Sequence, residues 1–208
     1  MKLARRDVVA AVVALAVAIV CVRLGVWQLD RLGQRRARNA ILAARLALPP
    51  LAVSRTTAPD SALQRRLIAR GVYDFAGELI GLGRSFDGTP GVALITPLRL
   101  EDGSVVFVDR GWVPSPDARH VDQALYREPD SATVEGLGVL PPRGYPALPF
   151  ILQQTGTAAA QGLPRRWPAP ALDNGPHLSY AIQWFSFALI IVVGTGALLR
   201  KTTVLGLS

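Results

Sequence analysis

The chain has 208 residues, half of them hydrophobic and 18% charged, and 23 Lys and Arg against 15 Asp and Glu give a formal net charge of +8. This leaves room for one modest domain beside long apolar segments and excludes a large multidomain enzyme. The basic residues are nearly all arginine and accompany two apolar runs without a nucleic-acid motif, so anionic lipid or a carboxylate-bearing ligand is the expected partner and nucleic acid is not.

Residues 1–7 form a short basic start, MKLARRD, and residues 8–27 read as a first transmembrane helix. Val8 to Val22 carries no charge, and Arg23 can snorkel outward. Ala16-Val17-Ala18 offers a signal-peptide cleavage pattern, but the apolar run continues past it, so an uncleaved anchor is preferred. A lipoprotein signal ending at Cys21 is disfavoured by Val20, where a small residue is usual. As the single cysteine, Cys21 excludes a disulfide framework within the chain and a Cys-x-x-Cys-His site for covalent haem attachment. Residues 28–48 continue the helix until Pro49 and Pro50 stop it; Trp27 and Arg31 are i, i+4 neighbours. Arg35, Arg36 and Arg38 read as a solvated basic face near lipid headgroups.

From residue 56 to 176 the pattern is that of a mainly antiparallel β domain. Arg65 to Tyr73 and Glu78 to Gly83 are predicted strands, and Gly88 to Gly91 a turn. The strongest signal is a hairpin, Gly91 to Leu100 and Ser104 to Val113, joined at Glu101-Asp102-Gly103. Val92, Leu94, Leu98 and Leu100 are expected on one face with Val105 and Phe107 as partners, and Ile95, Val106 and Val108 on the other. Strands apolar on both faces suit a small barrel or a covered sheet. Asp117 to Tyr126 reads as a short helix and Thr133 to Leu140 as a strand. Pro141 to Pro176 reads as an irregular connection with one short strand at Phe150 to Gln154.

Residues 177–199 form a second predicted transmembrane helix, uncharged from Tyr180 to Leu199, before a tail at 200–208. His177, Tyr180 and Trp184 mark its entry, Arg200 and Lys201 its exit, and His177, Ala181 and Trp184 share a face. By itself, an imidazole after Gly175-Pro176 suits a helix cap or a headgroup contact as well as a ligand. The basic flanks of the two spans nearly cancel, so charge does not orient them, but two spans put both termini on one side. Catalysis is not expected: Ser115, His120 and Asp109 match no catalytic turn, and His120, His177 and Cys21 do not make a zinc or copper cage.

Five strings carry a family resemblance: Leu-Gly-Val-Trp-Gln-Leu-Asp-Arg at 24–31, Gly-Val-Tyr-Asp at 71–74, Thr-Pro-Leu at 96–98, Val-Asp-Arg-Gly-Trp-Val-Pro at 108–114 and Gly-Pro-His-Leu-Ser-Tyr-Ala-Ile-Gln-Trp-Phe at 175–185. Together they resemble the surfeit locus protein 1 family, with Asp109 standing where the family usually has Asn. The resemblance implies a non-catalytic cytochrome c oxidase assembly factor that handles haem a, with His177 as candidate axial ligand to the iron. Trp27, Gln28, Arg31, Tyr180, Gln183 and Trp184 would share its membrane level and complete the pocket. It implies oxidase subunit I or its assembly intermediates, a haem a synthase and membrane lipid as partners. It also implies cytoplasmic termini and a periplasmic domain in a bacterial inner membrane; the sequence shows no transit-like leader, which fits a bacterium. The competing expectation is a scaffold that holds assembly intermediates without haem.

Overall fold

A computed structural model describes residues 5–142, 145, 148–156 and 162–205, with side chains as far as Lys201. Part of the predicted basic start, the end of the tail and part of the Pro141 to Pro176 connection lie outside the described residues. The helices are α1 (Arg5–Ala47), a single turn α2 (Pro59–Ala62) and α3 (His177–Leu205). The strands are β1 (Leu51–Ala52), β2 (Arg66–Tyr73), β3 (Leu79–Phe86), β4 (Thr89–Leu100), β5 (Val105–Pro114), β6 (Ser131–Val139) and β7 (Ile151–Gln154). They form two units, one of residues 1–41 with 172–208 and one of residues 42–171.

In the helical unit, α1 runs unbroken for 43 residues and α3 for 29, past the expected end at 199. Both are long and apolar enough to cross a membrane. They pack antiparallel along a narrow seam. Ala18, Cys21, Gly25, Gln28 and Leu32 recur at alternating spacings of four and three on α1, as His177, Ala181, Trp184, Ala188 and Ile191 do on α3. This is the period of two helices in continuous contact, and the small residues let the backbones approach. A Cβ on Gly25 would lie 2.7 Å from the Phe185 ring. The remaining apolar surface, including Val12, Ile19, Leu189 and Ile190, is exposed.

The other unit is a barrel of five strands. β2 pairs with β6, β6 with β7, β7 with β5, β5 with β4, and β4 closes back onto β2. Closure is possible because β2 serves two neighbours: Arg66 to Val72 faces β6 while Gly71 to Tyr73 faces β4. Gly71 is needed at this crossing, since a Cβ there would lie 2.2 Å from the Arg99 carbonyl oxygen. Counting only the barrel strands, the order is 1-2-3-5-4-1 with the third and fifth parallel, the connectivity of OB-type Greek-key barrels. β1 adds to β2 in parallel, and β3 is an outlying strand folded onto β4. Leu67, Ala69, Leu98, Leu100, Val106, Val108, Val134 and Leu152 fill the interior.

Three local expectations are corrected. Leu98 faces Val106 and Arg99 faces Val105, so Val106 and Val108 join Leu98 and Leu100 in the core while Val105 is exposed. The loop is the expected Glu101-Asp102-Gly103, closed by Leu100 N–H to Ser104 O at 2.8 Å; the expected partners Val105 and Phe107 lie one residue off this register, and one residue exchanges the faces. The turn before β4 is Asp87-Gly88, both at positive φ, with Thr89 to Gly91 already in the strand. Asp117 to Tyr126 is not a helix: Ala118 sits at φ 53°, Asp117 caps the amides of Arg119 and His120, and only Gln123–Tyr126 forms a 3-10 turn.

Candidate functional site

The entry to α3 is built by a tight turn. Gly175 adopts φ 68° and donates its amide to Asp173 Oδ1 at 2.8 Å, and Tyr180 N–H closes the first helical turn on Pro176 O at 3.1 Å. Asn39 of α1 donates to Asp173 O and Asn174 Oδ1, each at 3.1 Å, tying the turn to the neighbouring helix. The half-buried His177 ring therefore points into the seam, where its Nδ1 meets Gln28 Oε1 at 2.8 Å. An amide oxygen only accepts, so this contact puts the proton on Nδ1 and leaves the Nε2 lone pair available.

The other predicted residues are only partly brought together. The Arg31 guanidinium lies over the half-exposed Trp27 ring at 5.6 Å and donates to Gln34 Oε1 at 3.0 Å. Tyr180 and Gln183 are exposed, and among the described residues neither side chain hydrogen-bonds His177. Trp184 packs with Ala18, Cys21 and Ala188 and meets Phe187 edge-on at 5.9 Å. Seven residues of helix separate it from His177, which sets it about 10 Å deeper. The structure thus joins His177 to Gln28 and Arg31 to Trp27, with Trp184 packed farther along α3.

An imidazole with one nitrogen held by a side-chain acceptor and the other available is the donor arrangement of an axial haem ligand, and His177, whose Nε2 has no partner among the described residues, fits one coordination position. Among the described residues, no group of three or more His, Cys, Asp or Glu could hold a bare metal ion.

The barrel holds a buried charge network that sequence reasoning left open. Arg110 has no exposed side-chain surface. It pairs with Glu78 Oε2 at 2.5 Å and Glu128 Oε2 at 3.0 Å, and donates to Tyr126 O and Thr96 Oγ1 at 2.7 Å. Arg166 joins by hydrogen-bonding Glu128 and the Arg110 carbonyl. The Phe75 and Tyr73 rings flank the Arg110 guanidinium at 5.1 and 5.8 Å, and burial, aided by Glu128, pushes the Tyr73 hydroxyl pKa up. Asp109 does not pair with Arg110. It accepts from Trp167 Nε1 at 2.9 Å, Gly111 N–H at 3.0 Å and Gln153 Nε2 at 3.3 Å, and burial pushes its carboxyl pKa up against these donors.

A bulge opposite Leu94 and Ile95, with Gly111 at φ 121°, is what turns Arg110 inward and Trp112 onto the neighbouring strand. The glycine of the Arg-Gly-Trp string is what the bulge requires, but the acidic partners of Arg110 are 32 and 18 residues away in sequence. Ser115, His120 and Asp109 form no triad. Ser115 Oγ bonds Asp117 Oδ1 and His120 O at 2.8 Å, His120 is 87% exposed on Asp117, and Asp109 is engaged with Trp167.

A profile of the SURF1 family matches residues 15–189. A SURF1-like protein of Monosiga brevicollis is 27% identical over 225 aligned residues, covering 90% of this chain and 86% of its own length. Uncharacterized SURF1-like proteins of Mycobacterium bovis and Mycobacterium tuberculosis are each 26% identical over 213 residues, covering 83% of this chain and 75% of theirs. The entry turn, the Trp27 to Arg31 string and the Arg-Gly-Trp bulge all fall within the matched span, and the chain belongs to the SURF1 family.

Proposed function

We propose that the chain is a two-span membrane protein that assists cytochrome c oxidase assembly by handling haem a, with His177 as an axial ligand. The SURF1 family is generally linked to oxidase assembly. Insertion is supported by the length of α1 and α3 and by the apolar side chains they leave exposed away from their seam. The observation that carries the haem assignment is the Gln28 contact at 2.8 Å, which orients the His177 ring and leaves Nε2 free.

In this reading Gln28 sets the tautomer, and Arg31, poised on Trp27, offers guanidinium donors to ligand carboxylates. When bound, haem a supplies the redox-active iron porphyrin of an oxidase. These side chains bind and orient it. A scaffold without haem is the second reading, favoured by the outward exposure of Tyr180 and Gln183.

The test is absorption spectroscopy of the protein purified from cells that make haem a. His177→Ala should abolish or shift the Soret band at unchanged protein yield, and Gln28→Ala should weaken binding by ~10-fold or more. An unchanged spectrum in His177→Ala refutes the ligand assignment, and a haem-free unmutated protein favours the scaffold. By family resemblance, we place the termini in the cytoplasm and the barrel in the periplasm of a bacterial inner membrane. A periplasm-dependent reporter fused after Ser208 should stay silent, whereas one inserted at Ala159, outside the described residues, should be active.

A further inference from the structure

The barrel carries a second arrangement of charge, on the face that OB-type barrels use for ligands, the second and third barrel strands with the loop after the first. Here those are β4, β5 and the excursion containing β3. β3 is bulged between Gly81 and Arg84, with Gly83 at φ 65° and its amide braced on Ala118 O at 3.1 Å. The bulge aims Arg84 at the Trp167 ring, where its guanidinium lies 5.9 Å from the centroid. Phe86, two residues on, sits 6.2 Å from Trp167 and 5.8 Å from Trp112, and the Arg165 guanidinium covers it at 4.9 Å.

Arg84 is half-buried, yet among the described residues it makes no hydrogen bond or ion pair, and its Nε is buried without a partner. Among the described residues no acid contacts that guanidinium, and the buried Asp109 acts on it only at longer range, so part of its desolvation cost stands. Among the described residues the Arg165 side chain makes one loose ion pair, with Asp87 at 3.3 Å, between side chains 50% and 80% exposed. Both arginines stand on a fixed base. The Arg165 backbone exchanges two hydrogen bonds with Trp112, at 2.7 and 2.8 Å, and Trp167 is pinned to Asp109.

We propose that Arg84 and Arg165, standing on Trp167 and Phe86, form a docking site for an extended acidic peptide segment of a partner protein. Stacking occupies one face of each guanidinium and leaves its edge to grip a carboxylate through paired N–H donors. The two supporting rings are 6.2 Å apart and make one aromatic base for both arginines. An extended segment with acidic side chains at alternate positions presents both carboxylates on one face, ~6.7 Å apart, to that base. Arginine and tryptophan are also the residue types that concentrate binding energy at protein interfaces. This site lies in the barrel and does not depend on haem binding by His177.

The test uses the full chain in nonionic detergent and fluorescence anisotropy of a labelled octapeptide with glutamate at alternate positions, separated by valine. A peptide with glutamine in place of glutamate is the comparison. The glutamate peptide should bind more weakly as salt rises, and the glutamine peptide should not bind. Arg84→Gln and Arg165→Gln should each weaken binding about tenfold or more, Arg84→Lys less, and Arg70→Gln on β2 not at all. Tryptophan emission confirms folding, and the Lys variant keeps the test decisive if Arg84→Gln unfolds. The proposal is overturned if neither peptide binds, if both bind equally, or if the arginine variants bind like the unmutated protein. Displacement by free glutarate at an equal concentration of carboxylates would make this a small-oxyanion site and would also overturn it.

Discussion

Replacing Arg110 with Met tests the reading of the barrel most directly, because methionine keeps much of the side-chain volume and removes only charge and donors. In the native fold Glu78, 1% exposed, is neutralised by Arg110 and otherwise held by the Thr96 hydroxyl, whereas Glu128 retains Arg166. The variant therefore strands one buried carboxylate, and breaking a buried pair from one side costs ~3–5 kcal/mol. For a cooperative unit of about 130 residues, the span 42–171, a loss of ~4 kcal/mol lowers Tm by about 15 °C. The assay is thermal unfolding followed by the emission of Trp112 and Trp167, in a background where Trp27 and Trp184 are Phe. Adding Glu78→Leu to Arg110→Met should recover part of the loss, since no charge is then left unpaired. A Tm within about 2 °C of the parent for Arg110→Met would refute the buried-network account.

Two glycines separate steric from conformational demand. A Cβ on Gly91 would lie 2.2 Å from both Trp112 Nε1 and the Val113 carbonyl oxygen; the backbone atom cannot yield without parting β4 from β5, so Gly91→Ala should cost ~3 kcal/mol in the same assay. At Gly103, φ 77°, a Cβ would make only an ordinary contact, 3.6 Å from Arg55 Nη2, so Gly103→Val should cost mainly the left-handed strain of ~1–2 kcal/mol, and unchanged melting would refute the turn. Asp102 caps the hairpin loop: the Ser104 hydroxyl and the amides of Arg55 and Ser104 hold its carboxyl pKa down to about 2. A lowered carboxylate pKa contributes stability that is fully present above its unfolded value of 3.8 and is lost as pH falls through about 2. Carboxyl NMR should find that low midpoint; a midpoint near 3.8 would remove the cap.

The long helices, the β2 and β6 strands and the Asp102-Gly103 turn were legible because each rests on local periodicity or on the backbone freedom of one residue. His177 and Gln28 were both legible as candidates through the strings at 175–185 and 24–31. Only the seam of small residues shows that they touch, because a contact 149 residues apart depends on how two helices pack. The rise of the helix, already implied by the spacing, sets Trp184 about 10 Å beyond His177 on the shared face. In the barrel, apolar alternation announced strands buried on both faces, but the face of each residue on β5 turned on the Leu100–Ser104 pairing across the loop and on the bulge at Arg110. Those two features set the register, and a shift of one residue exchanges inside for outside. The partners of Arg110 and the place of Arg84 over Trp167 were decided by the tertiary fold, which brings Glu78, Glu128 and Trp167 beside strands distant in sequence. No local pattern encodes such meetings, because they arise from long-range strand pairing and from the burial of charge that follows it.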